Sequence, residues 1–497
     1  MRPGGPRPRY RGATGVWLLL MAVPAGAQIG QLTSQSLFNY QAANNYGGNY
    51  LAADGGVFYT DNVQRVSSGT GEVLLLAGLS GVTAHEGARL DYRLATNLAL
   101  VKYTSGTYPT RPAGYLDGLA SLKIVPGFFA WLVRDSYSQV QIDIYSPVTP
   151  NNLVSLNAIT TGPRFTLRPT LRTSVTLDAL YSYLSTSSTA PQFANFDNHR
   201  YGGILNIERA FSQASSLYLK GRYEKVEFKD QATYNNYSIG SATLGYRVTD
   251  GRTALNLSGG YSQLRVYDVL GSVESIGGSR ETFTTETFDE PTWAAEISRL
   301  ITPSQRVALT ASQQFTDVAS AFRLGFDQAV PTTVPQLANG YAFKQRQVGL
   351  NWHFQAARTT VDVGLIAVSQ RYIPVPVTAT ANDRDYKAGT VLLKRQLSPV
   401  LWWDIGANYE RNQQVGAPSG GLPAQSADVI SALTDLNWQV GERLNLRFVY
   451  GYSRQTGTYT DNQIGVIASW ALLGAQARMT PDSPGLSPIS PVSTRSP

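Results

Sequence analysis

Cysteine is absent from this 497-residue chain, and histidine occurs only three times. The lack of cysteine excludes a disulfide framework, a thiolate metal site, a cysteine nucleophile and a lipidated N-terminal cysteine. Charged residues are also scarce, at 15% of the chain. A chain of this length without disulfides must be stabilised either by a large core or by a membrane.

Long apolar runs are absent as well, apart from a short one near the N-terminus. A basic region ends at Arg11, residues 16–23 are apolar, and small residues follow at 25–27. These three parts are typical of a secretory signal peptide. The alternative is a retained anchor, but the apolar run is shorter than the roughly 20 residues of a membrane-spanning helix. We therefore expect residues 1–27 to be removed by cleavage before Gln28.

The excess positive charge belongs mostly to that leader. Removing its four arginines lowers the formal net charge from +7 to +3. The rest of the sequence has no run of Lys and Arg interleaved with aromatic residues, which a nucleic-acid-binding surface would need. We expect no nucleic-acid partner and no cofactor.

Glycine and aromatic residues are plentiful, with 46 Gly, 28 Tyr, 17 Phe and 8 Trp. The chain repeats a unit of about ten residues in which apolar and polar side chains alternate, followed by a turn. In one such unit Leu217 and Leu219 alternate with Tyr218 and Lys220. Because successive side chains of a strand point to opposite faces, the pattern predicts strands with one apolar and one polar face.

Short and long connections between the predicted strands alternate along the chain. The short ones carry Gly, Pro or Asp and fall at 85–87, 125–127, 168–170, 249–251, 302–304, 397–399 and 441–443. The longer, polar ones fall at about 104–113, 137–151, 184–196, 267–283, 319–340, 371–382 and 411–426. A soluble sandwich would also show alternating strands, but this asymmetry of connections is typical of an outer-membrane barrel.

We therefore predict an all-β fold, a transmembrane antiparallel up-and-down β-barrel of about 20 strands over residues 55–472, with 18 strands as the alternative. An even number of strands returns both ends of the barrel to the periplasm. Residues 28–54 are expected to form a periplasmic lead-in or a plug segment. Residues 473–497, rich in Ser and Pro, are expected to form a disordered tail.

Several segments carry a family resemblance. Residues 56–63 and 459–466 each contain a Tyr-x-Asp-Asn element, residues 129–139 read as an aromatic strand, and a polar loop with a returning strand follows at 149–163. These segments resemble the bacterial outer-membrane family of β-barrel porin type 2, whose members accompany exopolysaccharide-export and exosortase-linked gene clusters. The resemblance implies an outer-membrane location and a link to surface polysaccharide, and it implies no catalytic residues.

The closing strand departs from the usual pattern of such barrels. They commonly finish on an aromatic residue at the chain end, which helps the assembly machinery to recognise the last strand. Trp470 is the best candidate for this closing-strand aromatic, yet about 27 residues follow it.

The three histidines give no support for catalysis. His85 is predicted in a turn, His199 near a long loop and His353 on the polar face of a strand. A hydrolase would need a histidine held by a carboxylate beside a nucleophile, and no spacing here indicates one. Scattered histidines also make a metal site improbable. We expect that the protein is not an enzyme and holds no metal.

The polar face is the candidate lumen. Its charges are mixed in sign, which suits uncharged or mildly anionic solutes. The candidate lumen-facing residues are Lys220, Arg222, Glu224, Arg247, Asp404 and Arg447. The alternative is that these charges pair across the wall and fill a closed barrel. About 20 strands should leave an aqueous channel unless a segment plugs it, and 28–54 and 319–340 are predicted to be the stretches long enough to do so.

Aromatic residues near strand ends allow two interpretations. Tyr181, Tyr450 and Trp403 are expected to belong to the girdles of a membrane barrel, with a sugar-binding surface as the rival interpretation. For Tyr218 and Trp402, which are expected to point inward, both interpretations stay open.

The sequence thus predicts a bacterial outer-membrane barrel that acts as a passive channel or as an accessory to surface polysaccharide export. The alternative is a closed structural or adhesive barrel whose extracellular loops bind ligands. The expected partners are outer-membrane lipid, lipopolysaccharide and the barrel assembly machinery, joined in the export case by polysaccharide export components.

Overall fold

The computed structural model describes residues 50–188, 196–230, 234–275, 278–319, 340–373, 383–415 and 425–473. The predicted signal peptide, the predicted tail beyond residue 473 and most of the predicted lead-in lie outside these residues. The strands are β1 Tyr50–Thr60, β2 Glu72–Glu86, β3 Leu90–Tyr103, β4 Arg111–Val125, β5 Phe129–Gln141, β6 Leu153–Thr170, β7 Thr173–Ser188, β8 Asn198–Ala210, β9 Ser215–Phe228, β10 Tyr237–Thr249, β11 Thr253–Ser275, β12 Gly278–Thr302, β13 Gln305–Thr316, β14 Phe343–Gln355, β15 Thr359–Tyr372, β16 Arg384–Ser398, β17 Leu401–Gln414, β18 Ser426–Gln439, β19 Leu444–Gln455 and β20 Tyr459–Leu473.

These twenty strands of the described chain form one closed sheet. Each strand pairs antiparallel with its neighbours in sequence, and β1 pairs with β20 to close the cylinder. The predicted all-β, up-and-down barrel of 20 strands is confirmed. β1 begins at Tyr50, so the last five residues of the predicted lead-in belong to the wall. Small residues such as Gly55 and Gly56 weaken the alternation of apolar and polar side chains there, so the sequence does not reveal where the strand begins.

The two ends of the barrel differ. Nine connections of two to four residues lie at one end, called here the short-turn end, together with the start of β1 and the end of β20. The other connections lie at the opposite, long-loop end.

The prediction of a loop at 267–283 is wrong, because β11 and β12 continue their ladder to the pair Ser275 and Gly278. That segment is rich in Ser, Thr and Glu, and a backbone ladder can form there without an apolar face to reveal it.

The outer and inner faces follow the predicted alternation. Leu219, Leu244 and Leu257 point outward and are exposed, and Leu244 keeps 53% of its surface accessible. Lys220 and Arg222 point to the inside. Separately, no helix among the described residues is long and apolar enough to span a membrane.

A repeated tetrapeptide closes the barrel at its seam. Residues 59–62 and 459–462 have the same sequence, Tyr-Thr-Asp-Asn. The Asp61 carboxylate accepts hydrogen bonds from the backbone N (2.8 Å) and Nδ2 (2.7 Å) of Asn462, and Thr60 donates to Asp461 at 2.5 Å. We call this pair of segments the seam clasp.

The inner wall is not polar throughout. Near the long-loop end an apolar cluster joins inward side chains of β5–β11 to residues of β13–β15. Its members include Leu156, Leu184, Phe228, Leu264 and Phe343. The polar inner face expected from sequence is therefore only part of the wall.

Candidate functional site: the barrel interior

Charge pairs line the inner wall toward the short-turn end. Arg134 lies 2.9 Å from Asp117 on β4, and Arg164 contacts Asp178 on β7 through two hydrogen bonds of 2.7 Å. Further pairs of this kind are Lys123–Asp91 at 2.8 Å and Arg247–Glu208 at 3.5 Å. Five of these eight side chains keep 21–35% of their surface accessible. This part of the wall therefore faces open space inside the barrel.

The predicted lumen residues of β9 and β10 lie together on this inner face. Arg222 contacts Glu224 at 2.6 Å, and Glu224 also lies 3.3 Å from Arg200 on β8. The Arg247 guanidinium lies over the Tyr218 ring, 5.4 Å from its centre. Lys220 points to the same side, between the positions of Thr243 on β10 and Asn206 on β8 in the ladder.

Asp404 and Arg447 belong to a second, buried group on β17–β19. Asp404 is directly opposite Asp435 in the ladder, and Arg447 binds Asp435 at 2.8 Å. Asn437 Nδ2 lies 3.4 Å from Asp404 and also donates to Asp435. All four side chains are almost fully buried. Here the charges fill the interior, as the closed-barrel alternative requires. On β9 and β10, by contrast, Arg222 and Arg247 keep part of their surface accessible, whereas Glu224 is buried.

The connection between β5 and β6 folds across the long-loop end of the barrel. The Tyr145 carbonyl accepts a 2.6 Å hydrogen bond from Gln455 of β19, and the Val148 carbonyl accepts one of 3.3 Å from Arg65. The Pro150 carbonyl accepts a hydrogen bond from Arg111 of β4. We call residues 142–152 the crossing segment, because it joins the β5–β6 side of the mouth to β19.

This corrects the expectation that only 28–54 and 319–340 are long enough to narrow the barrel. An extended chain covers about 3.3–3.6 Å per residue, so half of the eleven-residue crossing segment reaches about 18 Å from the wall. Residues 28–49 and 320–339 lie outside the described residues.

Hydrogen bonds inside the crossing segment fix its shape. Asn152 donates from Nδ2 to the carbonyls of Asp143 (2.7 Å) and Pro147 (3.0 Å), and its Oδ1 accepts from the Asp143 N–H at 2.8 Å. Burial raises the pKa of the Tyr145 hydroxyl to about 12. A cleft of about 460 Å³ lies between the segment, Arg65 and Thr458.

Side-chain amides cover the inner wall of β14–β17 below the mouth. Arg384 donates from Nε to Gln370 Oε1 at 2.7 Å, and Gln370 donates to Gln345 at 3.0 Å. Asn412 accepts from Arg384 at 3.4 Å. Sequence analysis did not single out these residues. On β17 the sequence did carry a pattern that indicates a polar inner face, because Asn408, Glu410, Asn412 and Gln414 occupy every second position.

The three histidines lie apart. His353 points inward with its Nδ1 2.6 Å from Asp362, and its other neighbour in the ladder is Arg306, so no hydroxyl stands beside it in register. His199 Nδ1 is hydrogen-bonded to the Tyr181 hydroxyl at 2.8 Å. His85 lies in β2 rather than in the predicted turn. In the described part of the chain, no group of three or more His, Asp or Glu side chains is arranged to hold a metal ion.

Aromatic side chains form two outward belts. Five tryptophans point outward near the short-turn end, and several tyrosines point outward toward the long-loop end. The tryptophans are Trp131, Trp352, Trp403, Trp438 and Trp470, and the tyrosines include Tyr59, Tyr181, Tyr201, Tyr223, Tyr409 and Tyr450. On β17 the two belts are six residues apart, about 20 Å along the strand. Trp402 and Tyr218 point inward, and Tyr218 donates to Asn256 at 2.8 Å.

Comparisons with known proteins do not assign the chain to a family. No protein-family model matches the chain, and no curated protein matches it. Solved structures that are similar include the ferric yersiniabactin uptake receptor FyuA from Yersinia pestis (10% identity, 86% of this chain and 81% of that chain, TM-score 0.41). Others are the copper transporter OprC (10%, 86% and 82%, 0.45) and the FrpB iron transporter from Neisseria meningitidis (9%, 86% and 83%, 0.46). Identities near 10% give no information about what this chain binds.

Proposed function

We propose that this chain is a bacterial outer-membrane barrel that passes a hydrophilic solute through its interior, and that the crossing segment sets the width of the passage. One observation carries the proposal: accessible charges line the inner wall toward the short-turn end, while residues 142–152 lie across the opposite end, held by Gln455.

The outer surface supports the membrane location. Between the two aromatic belts the exposed outward side chains are largely aliphatic, among them Leu219, Leu244, Leu309 and Leu365. Such a surface would be costly in water, and an apolar band between aromatic girdles is the surface of an outer-membrane barrel. The short turns would then face the periplasm, because that side of such barrels carries the short connections.

The interior supports a narrow passage rather than a wide passive one. Charged side chains that keep part of their surface accessible, such as Arg222 and Asp117, need water or solute beside them. The crossing segment is fixed by its own hydrogen bonds and by contacts to β4, to β19 and to Arg65 in the β1–β2 connection. A solute must therefore pass beside it or displace it.

The wall chemistry also favours a second candidate, an accessory role in surface polysaccharide export. Neutral amides such as Gln345, Gln370 and Asn412 can both donate to and accept from sugar hydroxyls without requiring a charge. The resemblance to β-barrel porin type 2 supports the same role. We expect no catalysis in either case.

Single-channel recording in planar bilayers tests the first candidate. Residues 144–150 would be replaced by a Gly-Ser link, which should raise the conductance of the purified barrel. A control that replaces residues 211–214, a connection at the short-turn end, by the same Gly-Ser link should leave conductance unchanged. If neither the wild type nor the shortened variant conducts, the passage does not exist and a closed structural or adhesive barrel is favoured.

A deletion strain tests the second candidate. Loss of surface polymer with normal uptake of small solutes would support a role in polysaccharide export. Normal surface polymer together with slower solute uptake would remove that role and leave the solute channel.

A further inference from the structure

Cations gather on the outward face of β14–β17 toward the long-loop end. The four that define this surface occupy outward positions of their strands and are Arg346 on β14, Arg371 on β15, Lys387 on β16 and Arg411 on β17. Arg346, Lys387 and Arg411 are exposed, and the Arg371 side chain is 33% accessible. We call these four residues the outer basic patch. Their charged groups can be reached from outside the barrel.

The patch lies at the level of the tyrosine belt. On β14, Arg346 is six residues from Trp352 of the tryptophan belt, which is the spacing between Trp403 and Tyr409 on β17. Arg411 is the next outward residue beyond Tyr409. Because aromatic belts mark the borders of the apolar band, the patch lies where the lipid headgroups begin. The long-loop end of such barrels faces the outside of the cell, so these headgroups belong to the outer leaflet.

Carboxylates of the barrel balance only part of this charge. Arg371 binds Asp385 at 2.8 Å, and Arg411 lies 3.7 Å from Asp428. The other two cations, Arg346 and Lys387, form no ion pair with another described residue. The Arg346 guanidinium donates instead to a neutral amide oxygen at 2.7 Å. Positive charge therefore remains available on the outer surface.

Two of the cations stand directly opposite each other. Lys387 and Arg411 are partners in the β16–β17 ladder. The other ladder neighbour of Lys387 is Ala367 on β15, so no carboxylate separates the two charges in this row. Like charges at opposed positions of a sheet repel each other and destabilise the pair. An anion held between Lys387 and Arg411 removes this repulsion.

The opposite side of the barrel has no comparable surface. In the described strands β4–β7, no outward position holds Lys or Arg. A uniform basic rim would attract any anion without preference for a place. Confinement of the cations to β14–β17 favours a defined binding site instead.

Neutral hydrogen-bonding groups lie between the cations. Ser369 on β15 is the ladder partner of both Arg346 and Asp385, and Gln413 is the other ladder partner of Asp385. Both Ser369 and Gln413 occupy outward positions. A hydroxyl and an amide can each donate and accept hydrogen bonds. The surface therefore offers contacts for sugar hydroxyls beside contacts for phosphate.

We propose that the outer basic patch binds the phosphorylated sugar headgroup of lipopolysaccharide in the outer leaflet. Arginine presents a planar fork of donors that matches phosphate oxygens, and lysine adds a compact charge. The position of the patch identifies the occupant, because outer-leaflet lipid is the molecule next to this surface in the membrane. The inference rests on the proposed outer-membrane location. It does not depend on passage of a solute, since the patch lies outside the barrel interior.

Native mass spectrometry of the purified barrel in detergent tests the proposal, with lipid A that carries both phosphates as the probe. Wild type should retain lipid A, and Lys387→Gln combined with Arg411→Gln should weaken binding by about fivefold for each cation removed. The matched control, Lys102→Gln combined with Arg209→Gln, removes the same two charges from exposed positions on β3 and β8 and should bind like wild type. Equal binding of dephosphorylated lipid A, or equal losses in the two double variants, would overturn the proposal.

Thermal unfolding separates lipid binding from a structural role of the patch. Without lipid, Lys387→Gln should unfold at the wild-type temperature or above it, because the variant loses the repulsion with Arg411. Added lipid A should raise the unfolding temperature of wild type more than that of the variant, because a ligand stabilises the state that binds it. A variant that gains as much from lipid A as wild type does would refute the proposal. Conductance in phospholipid bilayers without lipopolysaccharide tests solute passage separately, so failure of one proposal is distinguishable from failure of the other.

Discussion

The Asp61 carboxylate accepts two hydrogen bonds from Asn462, although 401 positions separate the two residues. Asp461, the equivalent aspartate of the second tetrapeptide, accepts instead from Thr60 and binds the Arg65 guanidinium at 3.1 Å. Asp61 is exposed, whereas the side chains of Asp461 and Arg65 are only 1% and 3% accessible. The seam clasp therefore uses one motif twice, in an exposed half and a buried half.

The two halves should differ in their contribution to stability. Asp461→Ala should lower the free energy of unfolding by about 3 kcal/mol, because it removes the carboxylate facing a buried guanidinium. Asp61→Ala should cost about 1 kcal/mol, the usual net value of exposed polar contacts. Guanidinium unfolding in detergent micelles, followed by tryptophan fluorescence, measures both. Equal losses would show that burial does not separate the two halves.

Releasing the crossing segment should change channel behaviour. Gln455→Leu removes the hydrogen bond to the Tyr145 carbonyl, worth about 1 kcal/mol, which corresponds to a roughly fivefold change in an equilibrium. We expect about fivefold more time in a higher-conductance state in single-channel records. Gln347→Leu is the control, because Gln347 is another inward glutamine and its hydrogen bond is to Gln345. An unchanged record for Gln455→Leu would mean that this contact does not hold the segment.

The charge of the inner wall should set ion preference. Lys220→Glu reverses an inward charge in the accessible part of the wall, so the reversal potential in a KCl gradient should shift toward cation selectivity. Lys387→Glu makes the same change on the outer face, where Lys387 is exposed, and should not shift it. If both variants shift the potential equally, the current does not pass along the inner wall.

Much of the fold could be predicted from the sequence because strand alternation is a local signal. In β9, Leu217 and Leu219 face outward and Lys220 inward, as the pattern predicts. The same reasoning failed where side-chain contrast is weak, at the Gly-containing start of β1 and in the Ser- and Thr-rich extension of β11 and β12. Backbone ladders need no apolar face, so these parts left no periodic signal.

The interior could be predicted less well, because its contacts join distant parts of the chain. The sequence predicts one more polar loop at residues 142–152. Hydrogen bonds from Arg65 and from Gln455, 310 positions later than Tyr145, show that the loop crosses the mouth. Asp404 and Arg222 both occupy a polar position of an alternating strand. Asp404 is nevertheless buried beside Asp435, whereas Arg222 lines open space. The identical tetrapeptides at 59–62 and 459–462 were a signal for the seam, because the first and last strands of a closed barrel must meet.

The assignment of faces itself can be tested at two neighbouring residues of β11. Leu257 is exposed on the outer face, and Ser258 points inward between Gly245 and Ala294, neither of which is charged. Leu257→Arg should lower the free energy of unfolding in lipid vesicles by about 2–4 kcal/mol, because it places a charge in the lipid-facing band. Ser258→Arg puts the same side chain in the interior and should cost far less, about 0.5 kcal/mol. Guanidinium titration of refolding into vesicles measures both values. The reverse order of costs would show that the strand is displaced by one residue, since such a slip exchanges every outward side chain for an inward one.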